Sequence, residues 1–329
     1  MVLSSSRRLG RRPGLTLAAA AACVAANHAS VQQLLRPAYA VGVRSAAEWT
    51  GPSAVARTVV AARGRQLAPY QGAAMQRAVK IARCAGGGAS PAYILHTYDH
   101  CPFCNRVEIL LGRFGIPYER VLYGYGEGAV PEACGGTGYN PGGGPVALTG
   151  NKMLPVLEGE GVPVAEGARG MAESLEICSY LIAKHGLVAP CDSGRPDVSN
   201  FRAELREIAG QLIKPREIKM PIKDWEQPGD TAYAKWKYST KFGFDYDAAE
   251  AATPQLLASV NEKLKELVPL IRGTDSLNSW GWGMDDVILL PDLRRLTCVK
   301  GVVFPPEVIK YMSATLEKTS LADWSQTAC

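Results

Sequence analysis

The chain has 329 residues, 47% hydrophobic and 20% charged, as in a globular protein with enough length for about two domains. Its net charge of +5 is unevenly spread, because residues 1–90 hold twelve Arg or Lys and one acid, Glu48, and so carry +11. The remaining 239 residues therefore carry −6, a mildly acidic balance that argues against nucleic acid as a partner.

Residues 1–89 have the composition of an organellar transit peptide, since they are rich in Ala, Arg and Ser and nearly free of acids. We expect a chloroplast address, with the mitochondrion as the alternative, because Val79–Ala85 resembles an algal stromal cleavage region. Leu15–Ala26 resembles the apolar part of a secretory signal and could open a bipartite plastid signal. It is too short and too rich in Ala for a membrane anchor, so no membrane partner is expected. A disordered basic arm with its own binding role is the competing interpretation.

The first folded elements surround two cysteines. Residues 92–97 are typical of a strand, and Asn105–Gly115 are typical of a helix. Cys101 and Cys104 are three positions apart at the start of that helix and lie on one turn, close enough to form a disulfide. The free N–H groups and the positive dipole end of a helix favour a thiolate at Cys101. The motif therefore predicts thiol redox chemistry.

A second strand and a glycine-rich loop follow. Pro117–Tyr123 alternates as a strand, whereas residues 124–150 contain ten glycines and are predicted to be an insertion. Its side chains Tyr125, Cys134 and Tyr139 could shape a substrate entrance. We favour the simpler interpretation, a surface loop that the fold tolerates and that has no role at the site.

The next segments complete a small α/β domain. Lys152–Glu158 ends a loop and begins a strand, and Pro155 before that strand marks a special backbone, with a cis peptide among the options. Val162–Glu166 is predicted to be a short strand that forms a hairpin. Ser174 is the natural N-cap of a helix over Leu175–His185, and a helix start is a ready anion site.

The remainder of the chain has a helical pattern. Helices are predicted near 197–214, 231–243, 253–272, 285–300 and 305–318, with Pro215 and Gly273 as stops. The sequence thus predicts an α/β thioredoxin-like domain over 90–188, followed by an all-α domain over 197–325.

Several stretches together resemble one family, the glutaredoxin 2 type, which is a glutaredoxin with the two-domain fold of glutathione transferases. They are Tyr98–Cys104 (YDHCPFC), Gly150–Pro155, Glu173-Ser174, Leu212–Arg216 and Asp285–Gly301. The resemblance covers about 92–324 without the insertion. It implies a glutathione-transferase-like fold and a glutathione-dependent oxidoreductase that reduces protein–glutathione mixed disulfides and protein disulfides.

The resemblance assigns roles to the residues of the cysteine motif. Cys101 is the nucleophile whose thiolate attacks a disulfide, and Cys104 is the resolving thiol, which glutathione can bypass by attacking the mixed disulfide itself. Tyr98, Pro102 and Phe103 flank the nucleophile and contribute to the glutathione surface. Phe103 stands where relatives commonly have tyrosine.

The resemblance also implies a glutathione site outside this motif. The Leu154 backbone before a cis Pro155 would pair with glutathione as a short antiparallel partner. Glu173 would take the ammonium of the γ-glutamyl end, and Ser174 with its backbone N–H would take the carboxylate. A plain helix cap is the alternative role for Ser174, and the two roles are compatible.

Two further assignments stay open at this point. Either Lys152 or Arg169 would meet the glycyl carboxylate of glutathione. His100, if protonated, would lower the pKa of the neighbouring thiol, and an exposed histidine without such a role is the alternative.

Glutathione is expected as co-substrate and no metal is expected. A single CxxC without a second pair is weak evidence for zinc, and the proline of the motif disfavours an iron–sulfur cluster shared between two monomers. The expected partners are glutathione and glutathionylated or disulfide-bonded proteins, and the expected state is a monomer.

Three other functions fit parts of the pattern. A glutathione transferase or dehydroascorbate reductase would use Cys101 on small electrophiles or oxidants. A prostaglandin-E-synthase-2-like enzyme carries the same cysteine motif on this two-domain plan, but the absence of an anchor in the pattern argues against it. A non-catalytic glutathione-binding module would require Cys101 to titrate like a free thiol, with a pKa near 8.5.

Overall fold

The computed structural model describes residues 92–129, 142–187 and 194–329. The predicted transit peptide lies outside the described residues, and so do the predicted insertion's Cys134 and Tyr139. All described residues belong to one compact unit, Arg77–Cys329.

A four-stranded mixed sheet forms the first part of the fold. Its strands are β1 (Tyr93–Thr97), β2 (Tyr118–Leu122), β3 (Val156–Gly159) and β4 (Met171–Ala172). The order across the sheet is β2-β1-β3-β4, with β1 parallel to β2 and antiparallel to β3. The parallel pair requires a crossover, and helix α1 (Pro102–Arg113) supplies it. At the centre Leu95 pairs with Leu157, and both side chains are fully buried.

Two more helices complete this α/β part. A short helix, α2 (Val146–Thr149), precedes β3, and α3 (Ser174–Lys184) follows β4. Helix α3 contacts α1, because Ile177, Cys178 and Leu181 recur at the spacing of one helix face and are fully buried.

The remainder of the described chain is helical. Its helices are α4 (Pro196–Glu217), α5 (Pro228–Phe242), α6 (Tyr246–Ala251), α7 (Thr253–Leu267), α8 (Met284–Leu296) and α9 (Pro306–Leu316). One-turn 3-10 helices occur at Lys223–Trp225, Val268–Leu270 and Ser325–Thr327. The predicted fold class, a thioredoxin-like α/β part with an all-α part in a glutathione-transferase-like arrangement, is confirmed.

Three predicted element boundaries are wrong. Val162–Glu166 is not a strand, because Pro163 lacks a donor and Val164 is 48% exposed; β4 pairs with β3 instead. Pro215 does not stop its helix, because α4 continues to Glu217 and the missing N–H of one proline costs it only a single hydrogen bond in its last turn. The cysteine-bearing helix begins at Pro102 rather than Asn105, because proline is well suited to the first helical position.

A buried arginine joins the helical part to the cysteine loop. Arg294 of α8 is fully buried and donates from Nη1 to the Asp99 carbonyl at 2.7 Å and to Asn105 Oδ1 at 2.9 Å. Its Nη2 donates to Asp99 Oδ1 at 2.9 Å. Burial raises the pKa of Asp99, but Arg294 and Arg120 outweigh it and lower the pKa overall. The carboxylate is therefore held ionised at the junction.

We predict that Arg294→Met lowers the free energy of unfolding in urea by roughly 3–5 kcal/mol, because it removes one partner of a buried ion pair. Arg206→Met is the matched control, since this side chain is 45% exposed and lies 3.7 Å from its partner Asp292. It should change the free energy by no more than about 1 kcal/mol. Equal losses in the two variants would contradict the role given to Arg294.

Candidate active site

Cys101 occupies the N-cap position of α1. Its backbone is extended, with φ −76° and ψ 119°, and Pro102 is the first helical residue. The sulfur thus lies at the end of the helix where backbone N–H groups are unpaired and the dipole is positive. Cys101 is half-buried, whereas Cys104 is fully buried one turn later. Both thiols are free.

The two thiols have opposite electrostatic environments. A hydrogen bond from the Cys104 thiol, together with the charge of His100 and backbone N–H groups, overcomes burial and lowers the pKa of Cys101 to about 6. Burial raises the pKa of Cys104 well above its usual value, and its bond to Cys101 adds to this. The Tyr98 N–H donates to Cys104 Sγ at 3.5 Å, which lowers this pKa but does not outweigh the burial. At neutral pH, Cys101 is the thiolate and Cys104 is the thiol.

His100 is buried and paired with a residue from the helical part. Its Nδ1 lies 2.5 Å from Asp224 Oδ2, and its backbone N–H donates to the same oxygen at 2.8 Å. Burial lowers the pKa of His100, but the hydrogen bond and charge of Asp224 outweigh it, so the pKa is raised. The alternative of an exposed histidine is wrong, because only 3% of the residue is exposed.

Lys152 lies beside the aromatic wall next to the cysteine loop. Its Nζ donates to the Tyr98 hydroxyl at 2.9 Å and to the Glu127 carbonyl at 2.8 Å. It also sits 5.3 Å from the Tyr125 ring centroid. Arg169 is 61% exposed and pairs with Glu158 at 3.4 Å. The structure therefore brings Lys152, and not Arg169, into contact with Tyr98.

The Leu154–Pro155 peptide is cis. It directly precedes β3, whose first residue, Val156, pairs with His96 of β1. Since β1 leads into the cysteine loop, this register places Leu154 at the sheet end where that loop begins. Leu154 is half-buried and Pro155 is buried.

Glu173 and Ser174 occupy the start of α3. Glu173 has φ 69°, and among the described residues it is the one non-glycine with a positive φ. Such strain costs about 1–3 kcal/mol and is concentrated at functional sites. The prediction of Ser174 as N-cap is wrong, because Glu173 takes the cap position and Ser174 is the first helical residue. The Glu173 side chain is exposed and Ser174 is buried.

Arg106 is a site residue that the sequence did not identify. It is 7% exposed on α1 and donates from Nη1 to Ser174 Oγ at 3.3 Å. Its guanidinium lies 4.8 Å from the ring centroid of Phe103, which is 45% exposed. The sequence could have indicated the contact of Arg106 with Phe103, because residues at i and i+3 are neighbours on a helix. Nothing in the sequence around Asp224 indicated its contact with His100.

The described ranges contain neither a metal-ligand cluster nor a membrane-spanning helix. Within 92–129, 142–187 and 194–329, no three His, Cys, Asp or Glu side chains are grouped as metal ligands would be. Within those same ranges, no helix has the length and apolar character needed to cross a membrane.

Two family models match consecutive parts of the chain. The model described as "Glutathione S-transferase, N-terminal domain" matches residues 100–184. The model described as "Glutaredoxin 2, C terminal domain" matches residues 197–328. The two matched regions correspond to the α/β part and the helical part of the fold.

Individual relatives agree with these matches. Glutaredoxin 2 of Escherichia coli strain K12 is 25% identical over 227 residues, which cover 69% of this chain and 95% of the relative. A crystal structure of glutaredoxin 2 from Salmonella typhimurium in complex with glutathione is similar with a TM-score of 0.62 and 25% identity. The similarity covers 73% of this chain and 100% of that one. Both parts of the fold are therefore matched in order, and these similarities support a protein of the glutaredoxin 2 type.

Proposed function

We propose that this chain is a glutathione-dependent thiol–disulfide oxidoreductase that reduces protein–glutathione mixed disulfides and protein disulfides. The observation that carries the proposal is the asymmetry of the cysteine pair. Cys101, at a helix start, has its pKa lowered to about 6, whereas burial keeps the pKa of Cys104 high. A nucleophilic thiolate beside a reserve thiol is the arrangement that disulfide exchange requires.

The reaction begins with attack of the Cys101 thiolate on the glutathione sulfur of a mixed disulfide. A new sulfur–sulfur bond forms, the old one breaks, and the client protein leaves as a thiolate that takes a proton from water. A second glutathione thiolate then attacks the glutathione sulfur on Cys101. This step releases glutathione disulfide and restores the Cys101 thiolate. Over the cycle one glutathione thiol is oxidised to the disulfide level while the client sulfur returns to a thiol.

Cys104 provides a second route for protein disulfides. After a client cysteine is joined to Cys101, the Cys104 thiol must lose its proton and attack Cys101, which forms an intramolecular disulfide and releases the reduced client. Because Cys104 is fully buried with a raised pKa, it is held as a thiol until Cys101 no longer carries negative charge. Glutathione then reduces the intramolecular disulfide.

We assign the glutathione to the surface formed by Leu154, Pro155, Glu173, Ser174 and Lys152. The register of β3 supports this, since Leu154 lies at the sheet end beside the cysteine loop, where backbone outside the strand can pair with an extended peptide. The start of α3 supports it too, because its free N–H groups suit a carboxylate and the Glu173 carboxylate is exposed for an ammonium. Tyr98, Pro102 and Phe103 border the same surface at the cysteine end.

We predict that Cys101→Ser lowers the rate of glutathione-coupled turnover of a mixed-disulfide substrate by roughly 1,000-fold or more, because no other thiolate replaces the nucleophile. Cys104→Ser should retain turnover through the glutathione route. Cys329→Ser is the control, since this thiol is free and exposed on the helical part. Full activity of Cys101→Ser would refute the mechanism, and complete loss in Cys104→Ser would make the dithiol route obligatory.

We predict that Lys152→Met raises KM for glutathione about tenfold with little change in kcat, because a charge-assisted hydrogen bond to a carboxylate is worth roughly 1.5–3 kcal/mol. Arg169→Met is the matched control, as it removes an exposed cation paired with Glu158. Its KM should equal that of the wild type. If only Arg169→Met raises KM, then Arg169, and not Lys152, binds the glycyl carboxylate.

A further inference from the structure

Asp224 fixes the backbone on the N-terminal side of Cys101. The residue is fully buried in the 3-10 helix Lys223–Trp225 of the helical part. Its Oδ1 accepts the Asp99 N–H at 3.0 Å and its Oδ2 accepts the His100 N–H at 2.8 Å. Its carbonyl accepts the Tyr125 N–H at 2.8 Å. One residue therefore holds the cysteine loop and the segment after β2 together.

The same carboxylate also holds the imidazole of His100. An ionised carboxylate only accepts hydrogen bonds, so His100 Nδ1 must carry a proton where it meets Asp224 Oδ2. Among the described residues, the one ion pair of Asp224 is with His100. A fully buried carboxylate is costly without an opposite charge, and a protonated imidazole supplies that charge.

Three aromatic rings pack around the imidazole. The ring centroid of His100 lies 4.6 Å from Trp225, 4.8 Å from Tyr125 and 5.8 Å from Tyr98. These rings keep water away, so the interaction between His100 and its charged neighbours is weakly screened. The charged or titratable groups that act on it are Asp224, Glu217 and Cys101.

We propose that Asp224 is a positioning residue that holds His100 as an imidazolium beside Cys101 and thereby stabilises the Cys101 thiolate. The helical part of the fold then controls the reactivity of a nucleophile that belongs to the α/β part. The consequence for turnover rests on the proposed function, whereas the effect on the thiol does not.

Other groups also act on Cys101, and a test must separate them from His100. Cys104 donates a hydrogen bond to its sulfur, and the start of α1 supplies backbone N–H groups. Lys237 and Tyr238 of α5 also interact electrostatically with Cys101, and Lys237 Nζ donates to the Tyr125 hydroxyl at 2.8 Å. None of these groups accepts a hydrogen bond from His100 Nδ1, so Asp224→Asn acts on them only indirectly.

The test is the rate at which iodoacetamide alkylates Cys101 in the full chain as a function of pH, followed by mass spectrometry of the peptide that contains Cys101. Asp224→Asn removes the charge that favours the imidazolium, so the half-maximal pH should rise by about one unit. Since the wild-type pKa is about 6, that shift corresponds to a rate about fivefold lower at pH 6 and about tenfold lower well below pH 6. The limiting rate at high pH should equal the wild-type rate or exceed it by up to about threefold, because a thiolate of higher pKa is more nucleophilic. A misplaced loop would lower this limiting rate instead.

Asp230→Asn is the matched control. Asp230 is 1% exposed, and its carboxylate accepts the Gly126 N–H at 2.7 Å and the Gln227 N–H at 2.9 Å. Like Asp224, it links the helical part to the segment after β2, but the hydrogen bonds of its carboxylate go to backbone N–H groups alone. Its variant should keep the wild-type half-maximal pH.

His100→Asn provides a second route to the same conclusion if Asp224→Asn does not fold. It should raise the half-maximal pH in the same direction, and the double variant should show no larger shift than the single variants, because both remove one interaction. An unchanged half-maximal pH in folded Asp224→Asn or in His100→Asn would overturn the proposal, as would shifts that add in the double variant. Normal wild-type alkylation without glutathione-coupled turnover would instead overturn the proposed function alone.

Discussion

Two charged side chains from the helical part, Arg294 and Asp224, hold the loop between β1 and α1. The polar groups of this loop belong to neither element, because β1 ends at Thr97 and α1 begins at Pro102. Buried backbone groups need partners. Arg294 donates a hydrogen bond to the Asp99 carbonyl, and the Asp224 carboxylate accepts hydrogen bonds from the N–H groups of Asp99 and His100. The cysteine loop therefore depends on a part of the chain more than 100 positions away.

Asp99 extends this arrangement into the α/β part. Its carboxylate also accepts from Arg120 of β2 at 3.3 Å, and Arg120 pairs with the buried Glu108 of α1 at 2.7 Å. Thr97 of β1 donates to the same Glu108 at 2.8 Å. Buried ionic networks of this kind need every partner in place, so they specify one arrangement of the elements they join. Here the elements they join are those that carry the cysteine motif.

The difference between the two cysteines follows from this placement. Cys101 lies at the helix end, near the imidazole, and has its pKa lowered, whereas Cys104 faces the core and has its pKa raised. The fold thus prepares one sulfur for attack and protects the other within a single turn of helix.

The features that could be predicted from the sequence are those with local causes. The strand before Cys101 and the helix after it follow from periodicity and from proline at the helix start, and the cis peptide was suggested by the place of Pro155. The family resemblance added the order of the motifs and the fold of the helical part. Apart from the order of the motifs, these predictions needed only residues that are near one another in the chain.

The features that were missed have tertiary causes. The contact of Asp224 with His100 joins residues 124 positions apart, and that of Arg106 with Ser174 joins residues 68 positions apart. The strand predicted at Val162–Glu166 failed because pairing with β3 occurs at Met171–Ala172 instead. Ser174 was displaced from the cap position by the positive φ of Glu173, which sequence pattern does not reveal.

The most direct measurement of the central claim is where glutathione becomes attached. The full chain carrying Cys104→Ser is incubated with glutathione disulfide, and the modified cysteines are located by peptide mass spectrometry. We expect one glutathione, attached to Cys101, because Cys101 is the low-pKa thiolate and reacts fastest. Added glutathione should remove it again. Attachment to other cysteines with Cys101 unmodified would contradict it.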